Sequence, residues 1–261
     1  MKVLLTTTDD LGMCHAVNMG VVAAMTRGWA RSCNFMAPAP WFHEAVALAK
    51  EHRLQAGVHL VLACDWDRLK WGPLTSNPRL RCPDGSFPDS HTGLETLGAT
   101  DEDLYDELKA QIELVKRAYG QPSHLDCHMA GGHWRPGIYS RVQKVILGLS
   151  AEYGLPFTYA RDPQSGRLRH FKEEDCHSGW TRAQLLAKLD AWTEPGTYHL
   201  FGHAAVDSDE LGALCSAAHP ARAWARDWRV MDQTLYLDPS LPAEFEKRGF
   251  KLASLAEAIP A

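Results

Sequence analysis

Carboxylate and imidazole side chains recur in three places of this sequence, each beside or within an apolar run. Asp9 and Asp10 follow the first apolar stretch, and His59 lies within a second one. The third place is the segment His124-Leu125-Asp126-Cys127-His128. Two imidazoles and one carboxylate can bind Zn²⁺, Fe²⁺, Co²⁺, Ni²⁺ or Mn²⁺ and leave coordination positions for water. Such an ion polarises a carbonyl group and lowers the pKa of water, so the pattern indicates metal-assisted chemistry.

The His-x-Asp-x-His segment is the rarest of the three. If it is a strand, its two histidines and Asp126 lie on one face, about 6.6 Å apart for every two residues. Burying three ionisable groups on one face is costly unless they are paired or bind a metal. We therefore predict a metal-binding or catalytic role for at least one of them, with the others orienting the ligand.

Asp9 and Asp10 can play two different roles in such a site. One carboxylate can bind the metal, while an unligated one takes a proton from water. Neighbouring side chains of a regular strand face opposite ways, and we expect the turn into Leu11-Gly12 to remove this restriction. Two alternatives stay open, because an Asp-Asp pair is also typical of a turn with a helix cap and His59 could be a core residue.

Apolar runs alternate with helical patterns along the chain. Strands are predicted at 2–8, 29–37, 55–62, 123–129, 155–159 and 196–201. Helices are predicted at 18–26, 41–52, 100–119, 139–153 and 181–192, with further structure over 223–236 and a last helix beginning near Pro242. The helix over 100–119 has the clearest pattern, with one apolar stripe and a Gly-x-Pro stop after it.

This alternation predicts an α/β fold with parallel strands joined by helical crossovers. About seven βα units favour a (β/α) barrel, complete or distorted, in a single domain over 1–261. The irregular stretch 64–99 is predicted to be a loop insertion that forms a lid or a substrate wall, with an ordered surface insertion as the alternative. In parallel α/β folds the chemistry lies at the carboxyl ends of the strands, where the three polar segments fall.

Composition excludes several other classes. The 261 residues carry a formal net charge of −5, which argues against nucleic acid and anionic membrane as partners. No apolar run reaches the length of a membrane span, and the N-terminus is too short and polar for a signal peptide. The 7 cysteines are scattered with no C-x-x-C pair, so we expect a reducing, cytoplasmic location.

Taken together, these motifs resemble a known family. They look like those of the YdjC-like (ChbG/HpnK) carbohydrate deacetylases. The motifs that carry the resemblance are, in order, Thr7-Thr8-Asp9-Asp10-Leu11-Gly12, then Asn18 and Gly20, then Gly57-Val58-His59-Leu60, and finally the His-x-Asp-x-His segment. The order and separations match over about the first 160 residues. The resemblance implies a distorted (β/α) barrel that hydrolyses the acetyl group from an N-acetylated sugar, using a divalent metal held by an aspartate and two histidines.

Carried over by motif, the resemblance implies that Asp10, His59 and His128 are the metal ligands and Asp9 the general base. His124 and Asp126 would then orient the ligands. In the C-terminal strand Gly202-His203-Ala204-Ala205 stands where the family often has His-Pro-Gly. We match His203 to the family histidine, as general acid for the leaving amine.

The expected cofactor is one divalent ion, with Zn²⁺ or Mg²⁺ as candidates. The expected partner is a small N-acetylated sugar, and a homodimer is the assembly to consider. Weaker candidates for substrate contact are aromatic and basic residues that could meet sugar rings or oxygens. They are His133, Trp134, Arg135 and Trp71, followed by Trp66, Trp180 and Arg161.

Two other functions compete with deacetylation. His124 and Asp126 with a distant His199 or His203 also match the triad of non-haem iron(II) oxygenases, although those enzymes are usually all-β. A carbohydrate-binding relative without activity is the second alternative. The presence of all four residues assigned as metal ligands or base argues against it.

Overall fold

A parallel sheet of seven strands forms the centre of the molecule. The structure, a computed structural model, describes residues 1–129, 136–161, 165, 167–214 and 225–259. The strands are β1 (Lys2–Leu11), β2 (Ser32–Phe35), β3 (Ala56–Leu60), β4 (Leu125–Cys127), β5 (Glu173–Cys176), β6 (Gly196–Gly202) and β7 (Phe250–Ala253). Their order is β4-β3-β2-β1-β6-β5, and β7 also pairs with β1. The sheet curls into an incomplete barrel, which confirms the predicted distorted (β/α) barrel.

Helices connect the strands. They are α1 (His15–Thr26), α2 (Phe42–Glu51), α3 (His91–Thr96), α4 (Asp101–Ala118), α5 (Ile138–Tyr153), α6 (Arg182–Ala191), α7 (Asp209–Ala213), α8 (Asp227–Tyr236), α9 (Leu241–Lys247) and α10 (Leu255–Ala258). None of the helices in the described ranges combines the length and the apolar content that a bilayer span requires.

Strand β1 is the central strand and is buried on both faces. Leu4 and Leu5 point to opposite faces, as neighbours in a strand must, and each belongs to a separate apolar cluster. Towards its carboxyl end the strand becomes polar but stays buried, beginning with Thr6, whose hydroxyl donates to the Trp29 carbonyl at 3.0 Å. Because burying polar side chains is costly, their concentration at one end of the central strand indicates that this end has a function.

Helix α4 shows how the sequence pattern produces the local structure. The Thr100 side chain accepts a hydrogen bond from the Asp103 backbone N–H, and Asp103 accepts one from the Thr100 N–H, which completes a capping box. The predicted apolar stripe is buried against the sheet, so the predicted helix is confirmed.

The irregular stretch 64–99 contains a 3₁₀ turn (Pro78–Leu80) and α3. It packs onto the main core through the buried side chains of Trp66, Trp71, Leu80, Phe87 and Leu94. One of its residues, Asp65, lines the central cavity described below. The segment is thus anchored to the core, and its proposed role as a lid or wall stays a prediction.

Two features of the sheet differ from the sequence prediction. Residues 155–159 were predicted as a strand, but in this segment only Phe157 forms a bridge, to Leu125, so the prediction is wrong there. Conversely, β5 and β7 were not predicted. Strand β5 reads Glu-Glu-Asp-Cys, which lacks the apolar alternation on which strand prediction relies.

Glycine at position 20 allows α1 to approach the chain segment after β6. A Cβ atom at Gly20 would lie 2.4 Å from the Cα atom of Ala205, a distance that excludes any side chain. The segment that begins with His203 is therefore held against α1 next to the end of β1.

Candidate functional site

Asp9 and Asp10 point into the same cavity because the backbone departs from regular strand geometry between them. Asp10 has a φ of 67°, and the pairing of β1 with β2 shifts register between Thr8 and Leu11. Aspartate tolerates this left-handed conformation better than most residues, and such an irregularity re-aims a side chain. We expected the turn into Leu11-Gly12 to bring the two carboxylates together, but the change already occurs at Asp10, inside β1.

Two histidines converge on one oxygen of Asp10. His59 Nε2 lies 3.3 Å from Asp10 Oδ1, and His128 Nδ1 lies 3.2 Å from the same oxygen. His59 is the fourth residue of the five-residue strand β3, and His128 directly follows β4. All three side chains are buried, and their ligand atoms lie within 4.8 Å of one another. We call these three residues the Asp-His-His cluster.

Each histidine of the cluster faces a second carboxylate with its other nitrogen. His59 Nδ1 lies 3.2 Å from Asp126 Oδ1, and His128 Nε2 lies 3.2 Å from Asp65 Oδ1. Asp126 also accepts a hydrogen bond from the Thr158 hydroxyl at 2.7 Å. A carboxylate behind an imidazole fixes the orientation of the ring and leaves the opposite nitrogen free to bind.

Charges in the cluster stabilise one another. Burial opposes the ionisation of Asp10, but Arg229 and the two histidines together hold the pKa of this carboxyl well below its ordinary value. Burial likewise opposes the charging of both imidazoles, but the carboxylates on either side raise the pKa of His59 to about 10 and that of His128 to about 9. Positive charge is therefore strongly favoured between these carboxylates.

The donor set fits a divalent cation. Asp10 Oδ1 is buried without a hydrogen-bond partner, although both histidine nitrogens lie near it. Ligand atoms held tetrahedrally at about 2.0–2.1 Å from Zn²⁺ lie about 3.3 Å from one another. The measured separations of 3.2 and 3.3 Å match that value. One carboxylate oxygen and two imidazole nitrogens are also a set that zinc and related ions prefer.

Arg229 holds the second oxygen of Asp10. Its Nη2 donates to Asp10 Oδ2 at 2.6 Å, and the whole side chain is 2% exposed. A buried ion pair of this kind fixes the carboxylate so that Oδ1 alone faces the histidines. Sequence reasoning missed this residue.

Asp9 and His203 form a second pair beside the cluster. Asn34 Nδ2 donates to Asp9 Oδ1 at 2.9 Å, and Asp9 Oδ2 lies 3.9 Å from His203 Nε2. Burial, helped by the nearby charge of Asp126, raises the pKa of Asp9 to about 7. Burial also lowers the pKa of His203, so its imidazole is neutral at rest. The pair thus places a carboxylate and a neutral imidazole side by side in the cavity, beyond direct hydrogen-bond distance.

A cavity of about 530 Å³ opens above both groups of residues. Its wall includes Arg161, as the sequence suggested, and Trp228, which is 37% exposed and was not predicted. Trp71 is instead buried, with its indole N–H bonded to the Ala63 carbonyl at 2.8 Å. His133, Trp134 and Arg135 lie outside the described residues.

The other candidate tryptophans do not line this cavity. Trp66 is fully buried, and Trp180 borders a different surface depression with α8. Trp228 could have been found from its position, because it precedes the buried Arg229 on α8 and so lies next to the inward face of that helix.

His124 lies apart from the cluster. Its Nδ1 is 2.9 Å from the Ser123 hydroxyl, its Nε2 has no hydrogen-bond partner, and its ring packs where a side chain at Gly57 would lie. Neither nitrogen contacts a member of the Asp-His-His cluster, so its orienting role stays a prediction.

The oxygenase triad is not assembled. His199 is bonded through Nδ1 to Glu174 and through Nε2 to Thr7, at 2.8 and 2.9 Å. Among the described residues, the groups whose ligand atoms lie within 4.8 Å of one another include neither His124 nor His199 nor His203. The parallel α/β sheet also differs from the all-β fold usual for that class.

The fold and site define an α/β half-barrel protein with a buried carboxylate–imidazole site at the carboxyl ends of its strands. More particularly, the chain belongs to the YdjC-like protein family, whose model matches residues 3–247. This confirms the resemblance seen in the motifs.

Curated relatives extend over nearly the whole chain. A carbohydrate deacetylase of Geobacillus stearothermophilus is 29% identical over 253 residues, covering 95% of each chain. A carbohydrate deacetylase of Thermus thermophilus is 36% identical over 236 residues, covering 82% of this chain and 81% of its own. A chitooligosaccharide deacetylase of Yersinia pestis is 25% identical over 277 residues, covering 98% and 99%.

A solved structure supports the fold. A protein of Enterococcus faecalis, provisionally described as a cellobiose-phosphate cleavage protein, covers 98% of both chains with a TM-score of 0.79 and 23% identity. This likeness supports the fold.

Proposed function

We propose that this protein is a metal-dependent carbohydrate N-deacetylase that hydrolyses the amide of an N-acetylated amino sugar or oligosaccharide. The observation that carries the proposal is the convergence of Asp10, His59 and His128 beside the Asp9–His203 pair in one cavity. Membership of the family and the deacetylase names of its relatives support the same reaction.

Asp10 Oδ1, His59 Nε2 and His128 Nδ1 would hold one divalent ion. Two imidazole ligands favour Zn²⁺ over Mg²⁺, which prefers oxygen. When bound, such an ion polarises the acetyl carbonyl and acidifies water. Asp126 and Asp65 each lie 3.2 Å from the far nitrogen of one ring, where they would hold the N–H and leave the other nitrogen to the ion.

Asp9 is the proposed general base. Its Oδ1 is occupied by Asn34, which leaves Oδ2 to accept the proton of the attacking water. A base with a pKa near neutrality combines an available carboxylate with a strong tendency to take the proton. As the proton leaves, the water oxygen forms a bond with the acetyl carbon.

His203 is the proposed general acid. The C–N bond breaks as Nε2–H of His203 protonates the leaving nitrogen, giving a free amine and acetic acid, which releases its proton to solvent to become acetate. His203 is neutral at rest, so it needs a proton for this step. The proton that Asp9 takes from water can supply it once Oδ2 and Nε2, which are 3.9 Å apart, approach to hydrogen-bond distance. One proton then passes from water to the amine, and both side chains return to their starting states.

Trp228 is the proposed platform for a sugar ring, because it lines the cavity and is 37% exposed. We expect Trp228→Ala to raise KM for an N-acetylated chito-oligosaccharide about 3- to 10-fold, the loss of roughly 0.7–1.4 kcal/mol of ring contact, with little change in kcat. Steady-state kinetics of acetate release measure both constants.

Trp41→Ala is the matched control for this substitution. Trp41 is 38% exposed, as Trp228 is 37% exposed, but Trp41 does not line the cavity. An unchanged KM in Trp228→Ala, or an equal rise in Trp41→Ala, would exclude stacking on Trp228.

The proposed function is tested by acetate release from N-acetylglucosamine and its β-1,4-linked oligomers. We expect purified protein to release acetate, to lose this activity on chelation, and to regain it when Zn²⁺ is added back. Stoichiometric metal should be measured on the same samples. Absence of acetate release from these substrates with Zn²⁺ or Mg²⁺ loaded, or oxygen consumption with a 2-oxo acid instead, would refute the proposal.

A further inference from the structure

A serine and a buried aspartate stand behind His203. Ser178 Oγ lies 2.6 Å from His203 Nδ1 and 2.9 Å from Asp232 Oδ2. Asp232 comes from α8 and is 0% exposed, whereas Ser178 follows β5 and lines the cavity. The three side chains form a chain of hydrogen bonds that runs from the protein interior to the proposed general acid.

Backbone groups fix the direction of these hydrogen bonds. The Asp232 carboxylate accepts from Gly179 N–H at 2.9 Å and from the backbone N–H of His203 at 2.7 Å. These two N–H groups can only donate, so they favour the ionised carboxylate, although burial acts against it. An ionised Asp232 accepts a hydrogen bond from the Ser178 hydroxyl. Because this hydroxyl has a single proton, the serine oxygen must accept a hydrogen bond from His203 Nδ1–H.

This direction determines which nitrogen of His203 faces the reaction. With its proton on Nδ1, the neutral ring presents the lone pair of Nε2 to Asp9 and to the cavity. When Nε2 receives a proton, the positive charge on the ring is stabilised through Ser178 by the negative charge of Asp232. The opposite tautomer would point an N–H at the cavity and could not receive a proton at Nε2.

We propose that Ser178 and Asp232 are positioning residues that hold His203 as the Nδ1–H tautomer, so that Nε2 is free to receive and deliver the proton. This inference rests on the proposed function for its catalytic meaning, but the tautomer itself does not depend on any substrate. Tautomer and turnover can therefore be measured separately.

The tautomer is measured by NMR of the full chain with ¹⁵N-labelled histidine and bound Zn²⁺. His203 signals are assigned by their loss in His203→Gln. We expect Nδ1 to carry the proton in the wild type, and Ser178→Ala to shift His203 towards the Nε2–H form. Ser178→Thr keeps a hydroxyl and should keep the wild-type tautomer.

Kinetics supply the second readout. We expect Ser178→Ala to lower kcat about 10- to 100-fold with little change in KM, the range for outer residues that orient a reactive imidazole. Ser178→Thr should restore most of this loss. Ser140→Ala is the matched control, because Ser140 is an exposed serine of α5 that contacts the Gly137 carbonyl only locally.

Bound metal and melting temperature show whether each variant is folded. An Nε2–H tautomer in the wild type, or an unchanged His203 spectrum in Ser178→Ala, would overturn the inference. If the Nδ1–H tautomer is present and responds to Ser178→Ala while the protein releases no acetate, the positioning role stands and the proposed function fails.

Discussion

Replacing Asp9 by asparagine is expected to lower kcat for deacetylation about 10²- to 10⁴-fold while the protein keeps its metal, because the change removes the proposed base but none of the proposed ligands. The substitution preserves shape, since the amide oxygen of the new side chain can accept from Asn34 as Oδ1 does now. What is lost is an oxygen that can take a proton at the position facing His203. Acetate release and metal content, measured on the same preparation, separate the two effects.

Asp209→Asn is the control for this substitution. Asp209 is an exposed aspartate in the first turn of α7, so its loss removes the same charge without touching the cavity. Normal turnover by Asp9→Asn would show that the base is another group. Loss of metal together with turnover would instead show that Asp9 helps to hold the ion, and the assigned roles of Asp9 and Asp10 would need to be revised.

The centre of the site was predictable because local sequence and parallel topology determine it. Asp10, His59 and His128 each lie at or just beyond the carboxyl end of a strand, and parallel strands bring these ends to one edge. The residue types indicate the chemistry, and the alternation of elements indicates the topology. The choice of Asp10, His59 and His128 as the ligands, by contrast, came from the family resemblance.

The surrounding residues were not predictable in this way. Arg229 is 219 positions from Asp10, and Asp65 is 63 positions from His128. Their contacts depend on how a helix and a long irregular segment pack onto the sheet. Helix α8 does carry a signal, since Arg229 and Asp232 are spaced i, i+3 on the same buried face as Tyr236. Charged residues on an inward helix face indicate partners in the interior.

Strand prediction failed in two segments, one that is buried but hardly paired with the sheet and one that is paired but only partly buried. The segment around Phe157 is apolar because Leu155, Phe157 and Tyr159 fill the core, yet only one bridge joins it to the sheet. Strand β5 lies at the end of the sheet and pairs with β6. It is only partly buried, so its three acidic residues can reach solvent while its backbone pairs. Because edge strands need fewer apolar residues, a prediction based on apolar patterns does not detect them.

Removal of one imidazole from the Asp-His-His cluster is the second change with a large expected effect. We expect His128→Ala to lose both stoichiometric metal and deacetylase activity, because one carboxylate oxygen and one imidazole are too few ligands for a tight site. Asp65→Asn, which keeps the imidazole and removes only the carboxylate behind it, should weaken metal binding about 10- to 100-fold. Dialysis followed by metal analysis gives both results.

Thermal unfolding provides a measurement of the same site that is independent of turnover. A ligand that binds only the folded state at 100 times its Kd stabilises it by about 2.7 kcal/mol, so Zn²⁺ should raise the melting temperature of the wild type. His128→Ala should show no such rise, whereas His52→Ala, which removes an exposed histidine after α2, should respond as the wild type does. A His128→Ala protein that still binds one ion and gains the full stabilisation would mean that the ion is held elsewhere. In the wild type, the carboxylates around His59 and His128 would then be balanced by protonated imidazoles and by Arg229.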